Sequence, residues 1–217
     1  MTPGSRHRLD LQLSTPVAPG QLRFASTTEV TGPTTFNGFP VVAVKTSLIE
    51  ADTVTESTVF VGADNMSLLY YGGSSDTTGL AGTVKSATTN LRPVAFRYDL
   101  SPGESFSQSY DAAIEVTPDG AKVATRNGYS IRQTVTFSGI ESVTVPAGTF
   151  QACKFEFDEV VTANGQVSSS SRRTTWLAVG IGVAVKIQVA GSSNPAPDSL
   201  IELVGGDING VAVEPLR

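Results

Sequence analysis

The sequence predicts an all-β protein with few, short helices: an antiparallel, strongly curved sheet or half-barrel of about ten strands, with a β-sandwich as the alternative. Three observations predict it. Apolar and polar residues alternate with period two along most of the chain, the mark of strands with one face buried and one face wet. Turn-forming residues punctuate these runs, and no segment sustains the 3.6-residue apolar stripe of a helix.

The first run sets Leu22, Phe24 and Val30 against Arg23 and Glu29. Val94, Phe96, Tyr98 and Leu100 oppose Arg97 and Asp99 in the next clear case. Phe106, Tyr110, Ala112, Ile114 and Val116 then face away from Ser107, Ser109, Asp111 and Glu115. Tyr129, Ile131, Val135 and Phe137 share a face against Ser130, Arg132, Thr134, Thr136 and Ser138, and only Gln133 breaks the pattern. Val183, Val185, Ile187 and Val189 close the series opposite Lys186 and Gln188.

Gly32-Pro33 through Asn37-Gly38, Gly62 to Asn65, Pro118-Asp119-Gly120, Asn164-Gly165 and Asn209-Gly210 read as turns. The Gly/Ser/Thr-rich stretches Gly72 to Thr89 and Gly191 to Asp198 read as loops. Residues 1–20 read as a flexible N-terminal arm and 21–217 as a single β-rich domain.

A chain of 217 residues can bury roughly 70% of its unfolded surface, so a core needs no staples. Ser and Thr make up roughly a fifth of the sequence, which suits the polar faces of strands. The net charge is −5, and no basic run exceeds Arg172-Arg173. Nucleic-acid binding, which depends on neutralising phosphates, is therefore excluded.

No apolar segment reaches the ~18 residues of a transmembrane helix; Leu177 to Val189 is broken by Gly180, Gly182, Lys186 and Gln188. The opening M-T-P-G-S-R-H-R has no apolar stretch of a signal peptide, and fits either a native start or a start after a removed signal.

Chemistry-bearing patterns are few. His7, the single histidine, falls in the predicted arm, where nothing would hold an imidazole for catalysis. Gly103-Glu104-Ser105-Phe106-Ser107 lacks the second glycine of a nucleophile elbow. Gly180-Ile181-Gly182 lacks the third glycine and the helix of a dinucleotide loop, and Gly79 to Ser86 lacks the Gly-Lys pair of a phosphate loop.

One histidine and one cysteine exclude an ordinary zinc site, and Glu156, Asp158 and Glu159 are the only acidic cluster. Glu156 and Asp158 fall opposite Cys153, Phe155 and Phe157, as on a solvated strand face. Cys153 reads as a small buried hydrophobe. No catalytic residue, metal site or cofactor is expected, and the chain is expected not to be an enzyme.

What remains is an aromatic set on the inward faces: Phe24, Phe96, Tyr98, Phe106, Tyr110, Tyr129, Phe137, Phe155 and Phe157, with Trp176 close in sequence. These either fill a core or line a cavity. An empty apolar cavity of about 300 Å³ would cost roughly 7 kcal/mol, so such a space is filled by side chains or by an apolar ligand.

Val143 to Phe150, V-T-V-P-A-G-T-F, is followed by Trp176 to Val183, W-L-A-V-G-I-G-V. This pair resembles a signature of uncharacterised bacterial envelope proteins, in which V-P-A-G-T-F is followed by W-x-A-P-G-x-G-x-V-K; Val179 stands where proline is usual. Leu100 to Phe106 resembles the segment that often precedes the signature, and Leu203 to Gly210 its closing strand and turn. The resemblance covers about residues 98–210.

The resemblance implies a secreted or lipid-anchored β-rich domain, similar to the half-barrels of lipoprotein carriers, and an extracytoplasmic location. On that analogy the partner is a lipid, acyl chain or other apolar small molecule held on a concave face; the alternative is a structural or protein-interaction domain with a filled core.

Overall fold

The computed structural model describes residues 2–15, 18–119, 121, 125–191 and 199–215. Thirteen strands follow one another: β1 (Arg6–Thr15), β2 (Ala18–Phe36), β3 (Phe39–Glu50), β4 (Thr53–Ala63), β5 (Ser67–Gly79), β6 (Gly82–Arg97), β7 (Ser105–Thr117), β8 (Thr125–Val145), β9 (Gly148–Ala163), β10 (Gln166–Ala178), β11 (Ala184–Gly191), β12 (Ser199–Ile208) and β13 (Val211–Ala212). No helix occurs among the described residues. Every strand pairs antiparallel with its neighbours in sequence, the arrangement that short turns enforce.

Three of these turns use the chemistry expected of them. Asn37-Gly38, Asn164-Gly165 and Asn209-Gly210 all place both residues at positive φ, the conformation of a type I′ hairpin turn, whose twist matches that of the flanking strands. Gly32-Pro33, in contrast, stays inside β2, where the register slips between Val30 and Gly32. The Pro118-Asp119-Gly120 turn and the Gly191–Asp198 loop fall partly or largely outside the described residues.

The sheet closes. β1 pairs with β12 from His7↔Ile208 to Ser14↔Leu200, producing a barrel of twelve strands with β13 appended to β12. This corrects the expectation of a half-barrel of about ten strands and its sandwich alternative.

It also corrects the N-terminal arm. Leu9, Leu11 and Leu13 alternate with Arg8, Asp10 and Gln12, and that short run supplies the strand that joins the two edges. Closure leaves few unpaired backbone edges. Gly206 lies at the seam with φ 149°, and a Cβ there would run into the Arg8 carbonyl oxygen, so the close approach of β12 to β1 requires glycine.

The predicted loop Gly72 to Thr89 is likewise a strand pair. Its hydroxyls bond across the ladder, Ser75 to Ser86 at 2.8 Å and Thr78 to Thr83 at 3.0 Å, beside a Lys85–Asp76 ion pair at 3.1 Å. Cross-strand pairs of this kind stabilise a sheet even where glycine and serine suggest a loop.

The β8–β9 hairpin runs beyond the barrel wall. Val145 ends β8, Gly148 starts β9, and the Ala147 amide between them donates to the Leu203 carbonyl on β12 at 3.1 Å. β11 pairs β12 only from Ser199 to Glu202, so the hairpin tip takes the next backbone position and β13 the one after. Around this junction Val143, Val145, Phe150, Ala152, Trp176, Ala178, Val183, Val185, Leu203 and Val213 form the larger buried cluster. The V-P-A-G-T-F stretch is thus a hairpin corner that closes one end of the barrel.

Candidate functional site

The expected site residues occupy three different environments. Phe96, Phe137, Phe155 and Phe157 come together with Val135, Cys153 and Leu177 in the second buried cluster. Phe96 meets Phe155 edge-on at 5.0 Å between centroids and stacks near Phe157 at 5.9 Å, while Phe137 lies 5.0 Å from Phe155.

β6 and β9 are separated by β7 and β8, roughly 14 Å along the sheet at the usual strand spacing. Side chains that far apart touch only on the concave side. The aromatic face is therefore the concave face. Each ring pair adds about 0.5–1.5 kcal/mol beyond burial.

Along the same face, register places Phe106 opposite Val135, Tyr110 opposite Ile131, Tyr129 opposite Ala112 and Phe24 opposite Leu11. All four aromatics are half-buried. The Arg97 guanidinium lies over the Phe106 ring at 5.5 Å. Burial, with Glu159 second, pushes the Tyr110 hydroxyl up to about 12. Burial also raises the Cys153 thiol, as befits a residue that packs against the aromatic cluster.

Two predicted members lie elsewhere. Tyr98 is 54% exposed just past β6, where its amide bonds the Met66 carbonyl and its hydroxyl donates to Asp64 O at 3.4 Å. Trp176 pairs with Lys154 and points to the opposite face from Leu177 and Cys153. Its Nε1 donates to Glu141 at 2.6 Å, and the Lys154 and Lys186 ammoniums sit 5.7 and 5.5 Å from its ring. Proximity in sequence does not bring Trp176 to the aromatic face, because one residue along a strand reverses direction.

The charges occupy the convex side. Lys154–Glu156, Arg172–Asp158 and Lys186–Glu202 pair there at 3.6, 2.7 and 3.7 Å. Glu159 and Arg173 are exceptions, since alternation turns both to the concave face, Glu159 beside Gln133. Among the described residues no group of acids, His and Cys could hold a metal ion. His7 stands in β1, half-buried, opposite Thr28 and Ile208 rather than in an arm.

Sequence reasoning passed over a polar belt on this concave face. Gln108, Gln133 and Glu159 stand opposite one another on β7, β8 and β9, and Arg173 projects one pair further along β10. The signal was present as Gln133, the one interruption of an otherwise apolar face.

Residues 92–188 match the DUF3108-like family model. That span runs from the end of β6 into β11 and contains the aromatic cluster and the belt. Among curated proteins none matches the chain. Two solved structures share the fold. A lipoprotein candidate from Parabacteroides distasonis aligns over 95% of this chain and 96% of its own, with 12% identity and a TM-score of 0.56. An exported-protein candidate with a YmcC-like fold from Bacteroides fragilis covers the same shares, with 12% identity and a TM-score of 0.53. No helix among the described residues is long and apolar enough to cross a membrane.

Proposed function

We propose that this chain is a non-enzymatic binding protein of the bacterial envelope, located outside the cytoplasm, that holds the apolar part of a lipid or similar molecule against its concave face. The observation that carries the reading is an apolar wall that is not packed shut. Leu13, Phe24, Leu48, Ile114, Tyr129, Ile131 and Val161 share that face by register and are all only half-buried.

The total accessible surface agrees. It is 12376 Å², against about 9,500 Å² expected for a monomer of 22.6 kDa. So extended a sheet leaves more surface open to water than a close-packed globule, and apolar surface of this kind is stabilised by an apolar guest. The exported and lipoprotein descriptions of the two structural relatives support the location.

Native mass spectrometry and organic extraction of the protein, freshly purified from a bacterial host, test the reading. The expected result is a stoichiometric apolar adduct that extraction removes and that rebinds on addition. A bare polypeptide mass that no added lipid changes contradicts it.

The alternative, a protein-interaction domain of the envelope, draws on a groove of about 770 Å³ flanked by Leu91 and Val167, which are 70% and 68% exposed. Reproducible capture of one envelope protein, lost on Leu91→Ser with Val167→Ser and with no bound lipid, would favour it.

A further inference from the structure

The polar belt is directional. The Ala95 amide donates to Gln108 Oε1 at 3.0 Å, which fixes the orientation of that side-chain amide. Gln108 Nε2 then donates to the Ala95 carbonyl at 2.8 Å and to Gln133 Oε1 at 3.0 Å. Gln133 is left to donate through Nε2 to Glu159 Oε2 at 3.3 Å. One carboxylate is thus held at the end of an oriented chain of amides.

Arg173 lies beside that carboxylate, its guanidinium 4.3 Å over the centre of the Phe157 ring. It donates no hydrogen bond and closes no ion pair within the described residues. Arg173 is exposed to solvent, and the protein crowded around it pulls its pKa down while Glu159 and Tyr110 draw it back up. An arginine stays charged through such shifts. Gln133, Phe157, Glu159, Ser171, Arg173 and Val189 line a half-open pocket of about 200 Å³ at this point.

A guanidinium carries five donors in a planar fork that matches a carboxylate or a phosphate. Here that fork stands at the edge of the aromatic cluster, on the same concave face. Resting on the reading above, we propose that Arg173 anchors the head group of an anionic amphiphile, carboxylate or phosphate, whose chain runs along the Phe157 wall. Glu159 has a selecting role: it stabilises Arg173 in the empty protein and competes with the incoming anion, so that only a head able to displace it binds tightly.

Isothermal titration with laurate, dodecyl phosphate, dodecanol and dodecyltrimethylammonium tests the proposal on the whole chain. Laurate or dodecyl phosphate is expected to bind at least about tenfold more tightly than dodecanol, the scale of a charge-assisted pair. Whichever anion binds more tightly identifies the head.

Arg173→Gln is expected to bring anion affinity down to the level of dodecanol on the same variant, and Glu159→Gln to strengthen anion binding a few-fold. Opposite signs at neighbouring positions are not what a merely structural role produces. Should Arg173→Gln lose dodecanol binding as well, Arg173→Lys must keep an anion preference, and its failure to do so overturns the proposal. Equal affinity for laurate, dodecanol and the cation in the unaltered protein overturns it too, while leaving the apolar-ligand reading in place. Binding of none of the four removes both.

Discussion

The end of the barrel sealed by the β8–β9 hairpin and the wall formed by β2 to β6 are built from the same pleated sheet on opposite principles. At the sealed end Leu203, Val185 and Ala152 are fully buried, and Phe150 is 2% exposed. In the wall, the concave face is carried by hydroxyl pairs, Thr28 with Thr46 and Thr55 with Thr77 at 3.1 Å and Ser75 with Ser86 at 2.8 Å. The first region buries large apolar side chains, whereas the wall, although it buries Val30, Val41, Ala43 and Val61, turns hydroxyl pairs to its concave face. The larger buried cluster lies toward this end, and a smaller one of Val135, Phe155 and Phe157 sits on the concave face.

Substitutions can break that comparison. The largest effect is expected from Phe150→Ala, about 4 kcal/mol of destabilisation in urea unfolding, because a large ring is lost from a site with no room to relax. Thr55→Val in the wall should cost less than about 1 kcal/mol, since one modest hydrogen bond is exchanged for a methyl group. Similar losses at the two positions would mean that the wall is as tightly packed as the end.

Gln108→Ala comes next, at about 2 kcal/mol. At Ala95 the two strands β6 and β7 have parted, and the Gln108 side chain supplies both backbone bonds that a neighbouring strand would have made. Amide exchange should report the same event as selective loss of protection at Ala95.

A further effect, of about the size of the Thr55→Val loss, is pH-dependent. An unfolded Tyr110 gives up its proton near pH 10 and the folded one only near 12, so the folded state binds more protons in between and stability falls as pH rises through that window. Water on its open side reduces the full two-unit value to about 1 kcal/mol. Tyr110→Phe should lose that much less stability than the parent between pH 10 and 12, measured by denaturant midpoints.

Much of this architecture was legible in the sequence, and what was missed has definite causes. Alternation at Phe106–Val116 and Tyr129–Ser138 located β7 and β8 and the faces they bury. Closure was missed because Leu9, Leu11 and Leu13 form only three alternations near a terminus, and barrel closure is a property of two strands far apart in sequence. β5 and the first half of β6 were hidden by their serines, threonines and glycines, whose cross-strand pairing no local pattern reveals. At the site, four of ten aromatics converge as a cluster; Trp176 diverges because neighbours along a strand point oppositely. The belt of Gln108, Gln133, Glu159 and Arg173 emerges only when four strands are set in register.

The central claim is that the concave face encloses space an apolar molecule can enter, and titration with N-phenyl-1-naphthylamine tests it most directly. The account predicts saturable, blue-shifted fluorescence at one site per chain, displaced by dodecanol. Fluorescence that never rises above the dye in buffer, or that rises without saturating, would contradict it.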